Sequence, residues 1–168
     1  MASPDVYLAL GSNLGDREAT LDGACRALAE RGFAIARCSA LYLTEPVGGP
    51  PQGWYVNQVV GGETALAPEA LLDTCLAVER EFLRERRERN GPRTLDVDLL
   101  LWGETLIDGP RLTLPHPRLH ERRFVLVPLA EIAPELRHPR LGLSVAELLA
   151  RCPDTSEVRL HAQAGSPR

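Results

Sequence analysis

The sequence predicts an α+β fold, an antiparallel sheet with helices on one face and a helical C-terminal extension. Two observations predict it. Apolar residues recur with helical spacing in two segments and with strand-like runs in four others, and two strands follow one another between the helical segments. The 168 residues match one domain, and no internal repeat of fixed period is present.

Taken in order, Val6–Leu10 reads as a short buried strand that breaks at Gly11-Ser12-Asn13. Asn13 or Asp16 can cap the helix that follows. Leu21, Ala24, Cys25, Leu28 and Ala29 form one apolar face of that helix, and Gly32 closes it. Phe33–Leu43 reads as a strand, Thr44–Gly53 as a Gly- and Pro-rich loop, and Trp54–Thr64 as the next strand. Pro68 suits the first turn of a second helix. Its stripe is Leu71, Leu72, Cys75, Leu76, Phe82 and Leu83.

A charged segment, Arg84–Asn90, leads through Gly91-Pro92 to the strand Leu95–Trp102 and reads as a mobile loop. Thr105–Ile107 and Leu112–Leu114 flank Asp108-Gly109 as a small hairpin. A short helix near Pro128–Ala133 and another after Ser144 complete the extension, the latter with a Ser144/Glu147 capping box. The order β-α-β-β-α-β is the ferredoxin-like one. One domain is expected over residues 1–161, with 162–168 as a disordered tail.

Composition removes several classes of function. With 44% hydrophobic and 25% charged residues, the chain has the makings of a core, not of a disordered segment. A net charge of −4 argues against a nucleic-acid binder held by a basic face. No apolar run reaches the ~18–20 residues of a membrane span, and the N-terminus lacks the basic flank of a signal peptide. Every basic residue is arginine and there is no lysine. That excludes a lysine-dependent phosphate loop, a protein-kinase fold and a Schiff-base enzyme. Cys25, Cys38, Cys75 and Cys152 contain no C-x-x-C pair and read as buried free thiols of a cytoplasmic protein.

The strongest local signal is Asp96-Val97-Asp98. Strand alternation puts both carboxylates on one face, ~6.5–7 Å apart, with Leu95, Val97, Leu99 and Leu101 on the other. Such a pair can converge on two metal ions, and its hard oxygens suit Mg²⁺. The leucine run Leu99–Leu101 marks this strand as central and buried. The alternative is a solvated strand face.

Glu79 falls on the apolar stripe of the second helix, so it is either a rim residue or an acid facing the same cavity. Arg84, Arg86, Arg87, Arg89 and Arg93 supply guanidinium forks beside the Asp pair, as a polyphosphate substrate requires. Tyr55 and Asn57 share a strand face and suit a flat heterocycle, one stacking and the other pairing with its edge. His116 sits between two prolines, which spoils its zinc-like spacing to His120. It is either a phosphate donor or a plain loop residue. His138 and His161 read as surface residues.

Gly91-Pro92-Arg93-Thr94-Leu95-Asp96-Val97-Asp98-Leu99-Leu100 resembles the signature of the hydroxymethyl-dihydropterin pyrophosphokinase family. Further matches are Leu10-Gly11-Ser12-Asn13-Leu14, Thr44 with Pro46 and Gly48 before Tyr55-Val56-Asn57, Leu114-Pro115-His116 leading to Arg122 and Phe124, and Pro128-Leu129 through Ile132-Ala133-Pro134. The likeness runs from about Val6 to Leu149.

The resemblance implies a ferredoxin-like fold and transfer of pyrophosphate from MgATP to a reduced pterin, with release of AMP. It implies that Asp96 and Asp98 hold two Mg²⁺ and that Arg84 and Arg93 steady the phosphates. ATP would also meet Arg86, Arg111, Thr113, His116 and Arg122. Tyr55 and Phe124 would sandwich the pterin, Asn57 would bond its edge, and Thr44 and Val47 would line its pocket. Glu79 would be the acid of the active centre. The expected partners are these two small molecules, with neither nucleic acid nor membrane, and the chain is expected to be a monomer. Two competing readings are a nucleotidyl transferase on the same scaffold and a non-catalytic ligand-binding module.

Overall fold

The computed structural model describes residues 5–46, 53–88 and 95–163, with side chains undescribed for residues 84–88. The elements are β1 (Val6–Ser12), α1 (Arg17–Glu30), β2 (Phe33–Cys38), β3 (Leu41–Thr44), β4 (Tyr55–Thr64), α2 (Pro68–Glu88), β5 (Asp96–Trp102), β6 (Ile107–Asp108), β7 (Thr113–Leu114), α3 (Arg123–Ile132), α4 (Val145–Ala150) and β8 (Val158–Ala162). A single 3-10 turn, Leu119–Glu121, precedes α3.

Six strands form one antiparallel sheet in the order β5-β1-β4-β3-β8, with β2 also on β4. β4 is long enough to pair with β1 along one side and with β3 and then β2 along the other. The expected strand Phe33–Leu43 is therefore two strands, parted at Ser39-Ala40. There the Ser39 N–H donates to the Val59 carbonyl and the Ser39 hydroxyl accepts from the Val59 N–H.

α1 and α2 pack on one sheet face. Leu21, Ala24, Cys25 and Leu28 of α1 and Leu71, Cys75 and Val78 of α2 meet Val6, Leu8 and Leu10 of β1 and Val97 and Leu99 of β5. Asp16 is the N-cap of α1, accepting from the Ala19 N–H at 3.0 Å. Gly32, at φ +105°, turns the chain back into β2.

The expectation of helices on one face holds only for these two. α3 and α4 cover the opposite face, where Val125, Leu126, Leu129, Val145 and Leu148 bury Tyr7, Val59, Leu100 and Leu101. α3 starts at Arg123, ahead of the helix expected near Pro128, and Pro128 lies inside it. Proline at a first turn is the commoner pattern. Here the apolar gain of burying Val125, Leu126 and Leu129 outweighs one missing backbone donor. The capping box of Ser144 and Glu147 is present at α4.

Four further expectations change. Among the described residues β5 pairs only with β1, so it is an edge strand there, not a central one. A β-bulge lets two β5 positions oppose one step of β1: Leu8 faces Leu99, while Tyr7 faces Leu101. The alternation therefore shifts phase, and Leu101 joins Leu100 on the α3 side. The bulged carbonyl of Leu100 accepts the His116 N–H at 2.8 Å, which ties the following loop to the edge.

Residues 84–88 continue α2, so Arg84, Arg86 and Arg87 sit on helix, not in a loop. His138 is buried, 4% exposed, with Nδ1 accepting the N–H groups of Arg140 and Leu141. β8 was not legible as a strand. It pairs with β3 and ends at Ala162. Cys25 and Cys75 are buried, and Cys38 and Cys152 partly so. No helix among the described residues is long and apolar enough to cross a membrane.

Candidate functional site

α3 covers only part of its sheet face. Beyond the start of α3 the same face continues uncovered through Ala9 and Gly11 of β1, Tyr55 and Asn57 of β4, Thr44 of β3 and Asp96 and Asp98 of β5. These residues line a cleft of about 280 Å³, walled by Arg118, Glu121, Arg122 and Phe124 from the far side. Glu45, Pro46 and Asp154 complete its rim.

The register makes the floor. Asp96 lies opposite Gly11, and Gly11 lies opposite Asn57, so one cross-strand row carries an acid, a gap and an amide. Neighbouring strands are ~4.8 Å apart, which separates the Asp96 and Asn57 backbones by roughly 10 Å. Asn57 is 7% exposed, and its Nδ2 donates to the Thr44 hydroxyl at 2.5 Å. That bond fixes the amide plane and leaves its edge at the cleft. Tyr55, opposite Thr44, is half-buried, and Phe124 enters from α3. The Arg122 guanidinium lies 5.7 Å from the Phe124 ring centre and 4.0 Å from Asp98.

The acids repel one another. Asp96 keeps solvent-exposed surface at the open cleft, yet the cleft walls strip enough hydration to raise its pKa. The Asp98 charge raises it further and Arg122 opposes both. Glu79, on α2, sends Oε2 to the Val97 N–H, between the two aspartates, at 2.7 Å. Burial, then the Asp96 and Asp98 charges, raise its pKa to about 6, against the lowering effect of the Val97 bond and Arg80. It thus supports the strand that displays the pair, and it is not among the residues lining the cleft.

A stability prediction follows from the sign. A carboxyl whose folded pKa is raised favours the folded state when protonated, and that contribution is lost as pH rises from about 4.5 to about 6. Glu79→Gln keeps an acceptor for Val97. It is expected to match the parent's melting temperature at pH 4 and exceed it at pH 8, read by thermal unfolding of the ligand-free protein. A lower Tm at pH 8 contradicts the assignment.

His116 lies within electrostatic reach of Asp98, Arg118 and Arg122. Burial lowers its pKa, Asp98 raises it and the two arginines lower it. Its Nδ1 accepts the Arg118 N–H at 3.1 Å, so the proton of the neutral ring sits on Nε2. Arg111 is not at the cleft. It is exposed and forks onto Asp73 at 2.5 Å and Glu69 at 3.3 Å, both on α2. Thr113 pairs with Asp108 in the small hairpin, also away from the cleft lining.

Val47 and Arg93 lie outside the described residues, as do the side chains of Arg84 and Arg86. Sequence reasoning missed Glu45, Arg118, Glu121 and Asp154 as cleft residues. For Arg118 and Glu121 the signal was proximity to Pro115-His116. For Asp154 there was none.

The donor set decides which metal suits the cleft. No group of three or more His, Cys, Asp or Glu side chains converges among the described residues. Zinc wants three or four protein ligands, whereas Mg²⁺ is held by one or two carboxylates and keeps water and phosphate oxygens. Two repelling carboxylates on one strand face fit the second pattern.

Two aromatic rings, a buried amide and a pair of carboxylates line one cleft of an antiparallel α+β domain, a setting of the size and chemistry of a small-molecule site. A family model described as 7,8-dihydro-6-hydroxymethylpterin-pyrophosphokinase (HPPK) matches residues 7–134, and the chain belongs to that family.

Its relatives include proteins named 2-amino-4-hydroxy-6-hydroxymethyldihydropteridine pyrophosphokinase. The one from Pseudomonas aeruginosa is 48% identical over 152 residues, covering 88% of this chain and 91% of its own. The one from Synechocystis is 44% identical over 145 residues, covering 86% and 74%. Among solved structures, wild-type Plasmodium falciparum HPPK-DHPS with SDX-DHP superposes with a TM-score of 0.69 at 15% identity, over 89% of this chain and 44% of that one. At that identity the likeness speaks for the fold alone.

Proposed function

We infer that this chain is a 2-amino-4-hydroxy-6-hydroxymethyldihydropteridine pyrophosphokinase of folate biosynthesis, which transfers pyrophosphate from ATP to the hydroxymethyl group of a reduced pterin and releases AMP. The observation that carries the reading is the joint lining of one cleft by Tyr55, Asn57, Phe124, Asp96 and Asp98. The strand order supports a ferredoxin-like core, β1-α1-β2/β3-β4-α2-β5.

Tyr55 and Phe124 stack on the two faces of the pterin, and Asn57 bonds its edge while held by Thr44. Val47 is the further residue proposed to bind the pterin. The pterin hydroxyl oxygen bonds to the β-phosphorus of ATP as the bond from that phosphorus to the α-phosphate oxygen breaks, and AMP leaves. The hydroxyl proton passes to the Asp98 carboxylate or directly to water. Asp96 and Asp98 would hold two Mg²⁺, which would supply neutralisation of phosphate charge.

Arg122 faces the same charge from the other wall, and Arg84 and Arg93 steady the transferring group. Arg86, Arg111, Thr113 and His116 bind the nucleotide, for which Arg111 exchanges Asp73 and Glu69 for phosphate oxygens. The enzyme acts as a monomer in a reducing cytoplasm, which a chain of this size without a C-x-x-C pair suits.

The test is AMP formation from MgATP with and without hydroxymethyl-dihydropterin. Pterin-dependent AMP is the expected product, and ADP overturns the reading. Tyr55→Ala and Phe124→Ala are each expected to raise the pterin KM by about ten- to a hundred-fold, from loss of one stacking face. An unchanged pterin KM in both removes the sandwich.

A further inference from the structure

We propose that Asp154 is a positioning residue for the pterin end of the cleft, holding Arg122 and Phe124 in place from a segment outside the matched family stretch. The inference rests on the function proposed above. The family model ends at residue 134, yet Asp154 reaches the cleft.

Its two carboxyl oxygens have different tasks. Oδ2 accepts the Arg123 N–H, at the first turn of α3, at 3.0 Å. Oδ1 accepts the Ser156 N–H at 2.9 Å and the Ser156 hydroxyl at 2.5 Å. The N-cap residue of α3, Arg122, makes no side-chain cap bond of its own. Asp154 therefore supplies from 31 residues away what a local Ser or Asp normally supplies, together with a negative charge at the helix N-terminus. Arg123 lies between Arg122 and Phe124, so the amide that Asp154 fixes sets the entry angle of both cleft side chains.

The same segment reaches the other side of the subsite. Two residues past Ser156, β8 begins and pairs Val158 with Thr44, the residue that holds Asn57. The Glu45 N–H donates to the Glu157 carbonyl at 3.0 Å, and the Glu157 N–H donates to Glu45 Oε1 at 2.9 Å. One short stretch, Asp154–Val158, thus joins the Phe124 wall to the Thr44–Asn57 wall. A slack α3 start would widen the gap into which the flat ring fits and reach the Asp96–Asp98 end of the cleft only through Arg122, 4.0 Å from Asp98.

The test compares Asp154→Ala, Asp154→Asn and Ser156→Ala in the full chain by steady-state kinetics on both substrates. Asp154→Ala is expected to raise the pterin KM about ten-fold, the scale of a lost helix cap. The ATP KM, which only Arg122 links to this end of the cleft, should rise by clearly less. Asp154→Asn keeps one acceptor and should fall between Ala and parent. Ser156→Ala, which removes one donor to Asp154, should shift the pterin KM in the same direction by less. It decides the matter if Asp154→Ala does not fold.

An unchanged pterin KM, or equal rises in both KM values, overturns the proposal. Tyr55→Ala serves as the reference. If it raises the pterin KM and the Asp154 and Ser156 variants do not, this inference alone fails. If it too has no effect, or the parent makes no pterin-dependent AMP, the functional reading fails.

Discussion

Asp96→Asn and Asp98→Asn are each expected to lose on the order of a thousand-fold or more in turnover, with no loss of stability in the ligand-free protein. The two halves of this expectation have separate causes. The activity loss follows from removing one of the two carboxylates that share the β5 face, since no third ligand converges with them among the described residues. The retained stability follows from where the acids sit. Asp96 has an exposed surface and Asp98 is partly exposed, both on the open face of an edge strand, and the core contributions of β5 come from Val97, Leu99, Leu100 and Leu101.

The sign of the stability change can be argued further. Asp96 has its pKa raised by burial and by the Asp98 charge. Its ionised form is therefore disfavoured by folding, and the folded state is favoured while the group is protonated. Stability is given up as pH rises through that raised pKa. A neutral amide at either position removes the repulsion, so the ligand-free Tm at pH 7 should equal or exceed the parent's. AMP release and thermal unfolding on the same preparations check both halves. Near-parent turnover in either variant ends the assignment of the pair. A large fall in Tm means the acids serve the fold instead.

Much of this was legible in the sequence, for reasons that also set its limits. Period-two alternation is a local property, so Asp96 and Asp98 could be placed on one face, and Tyr55 and Asn57 on one face, without knowing the partner strands. Which strand lies at the edge is a long-range property. The run Leu99–Leu101 looked like a central strand because three successive leucines imply burial on both faces. The bulge at Leu100 and the cover of α3 provide that burial at an edge.

Glu79 was visible as an acid on an apolar stripe. Its partner was not, because the Val97 N–H is a backbone group that any residue carries. Pro128 misled in the same way, since its local preference for a first turn lost to the apolar face that α3 buries. The C-terminal contribution had no local signature at all. Asp154 and β8 matter only through pairing with β3 and α3, far away in sequence, and short polar segments carry no periodicity to announce it.

Gly11 is the position where the smallest change should cost the most pterin affinity. It lies in extended β1, where alanine has no backbone penalty, so any effect comes from the side chain alone. A Cβ there would collide with Asn57 Oδ1, with the Tyr55 ring at 3.5 Å on the other side. Asn57 cannot give way freely, because its Nδ2 is held by Thr44 and it is almost fully buried. Turning the amide aside costs about 1 kcal/mol for the lost bond, and more if a buried polar atom is left unpaired. It also removes the group that reads the pterin edge.

Gly11→Ala is therefore expected to raise the pterin KM by roughly a hundred-fold, the product of a misdirected amide and a raised cleft floor. ATP affinity should change far less, because the atoms nearest the added methyl belong to Asn57 and Tyr55 and not to the aspartates. Gly11→Val, with two more methyl groups in the same gap, should leave no measurable pterin binding. The double variant Gly11→Ala/Asn57→Ser separates clash from chemistry. It relieves the collision, so it should recover Tm, and it cannot restore the edge contact, so the pterin KM should stay high. Parent-like pterin kinetics for Gly11→Ala would mean that the floor of the cleft, and Asn57 with it, does not meet the pterin.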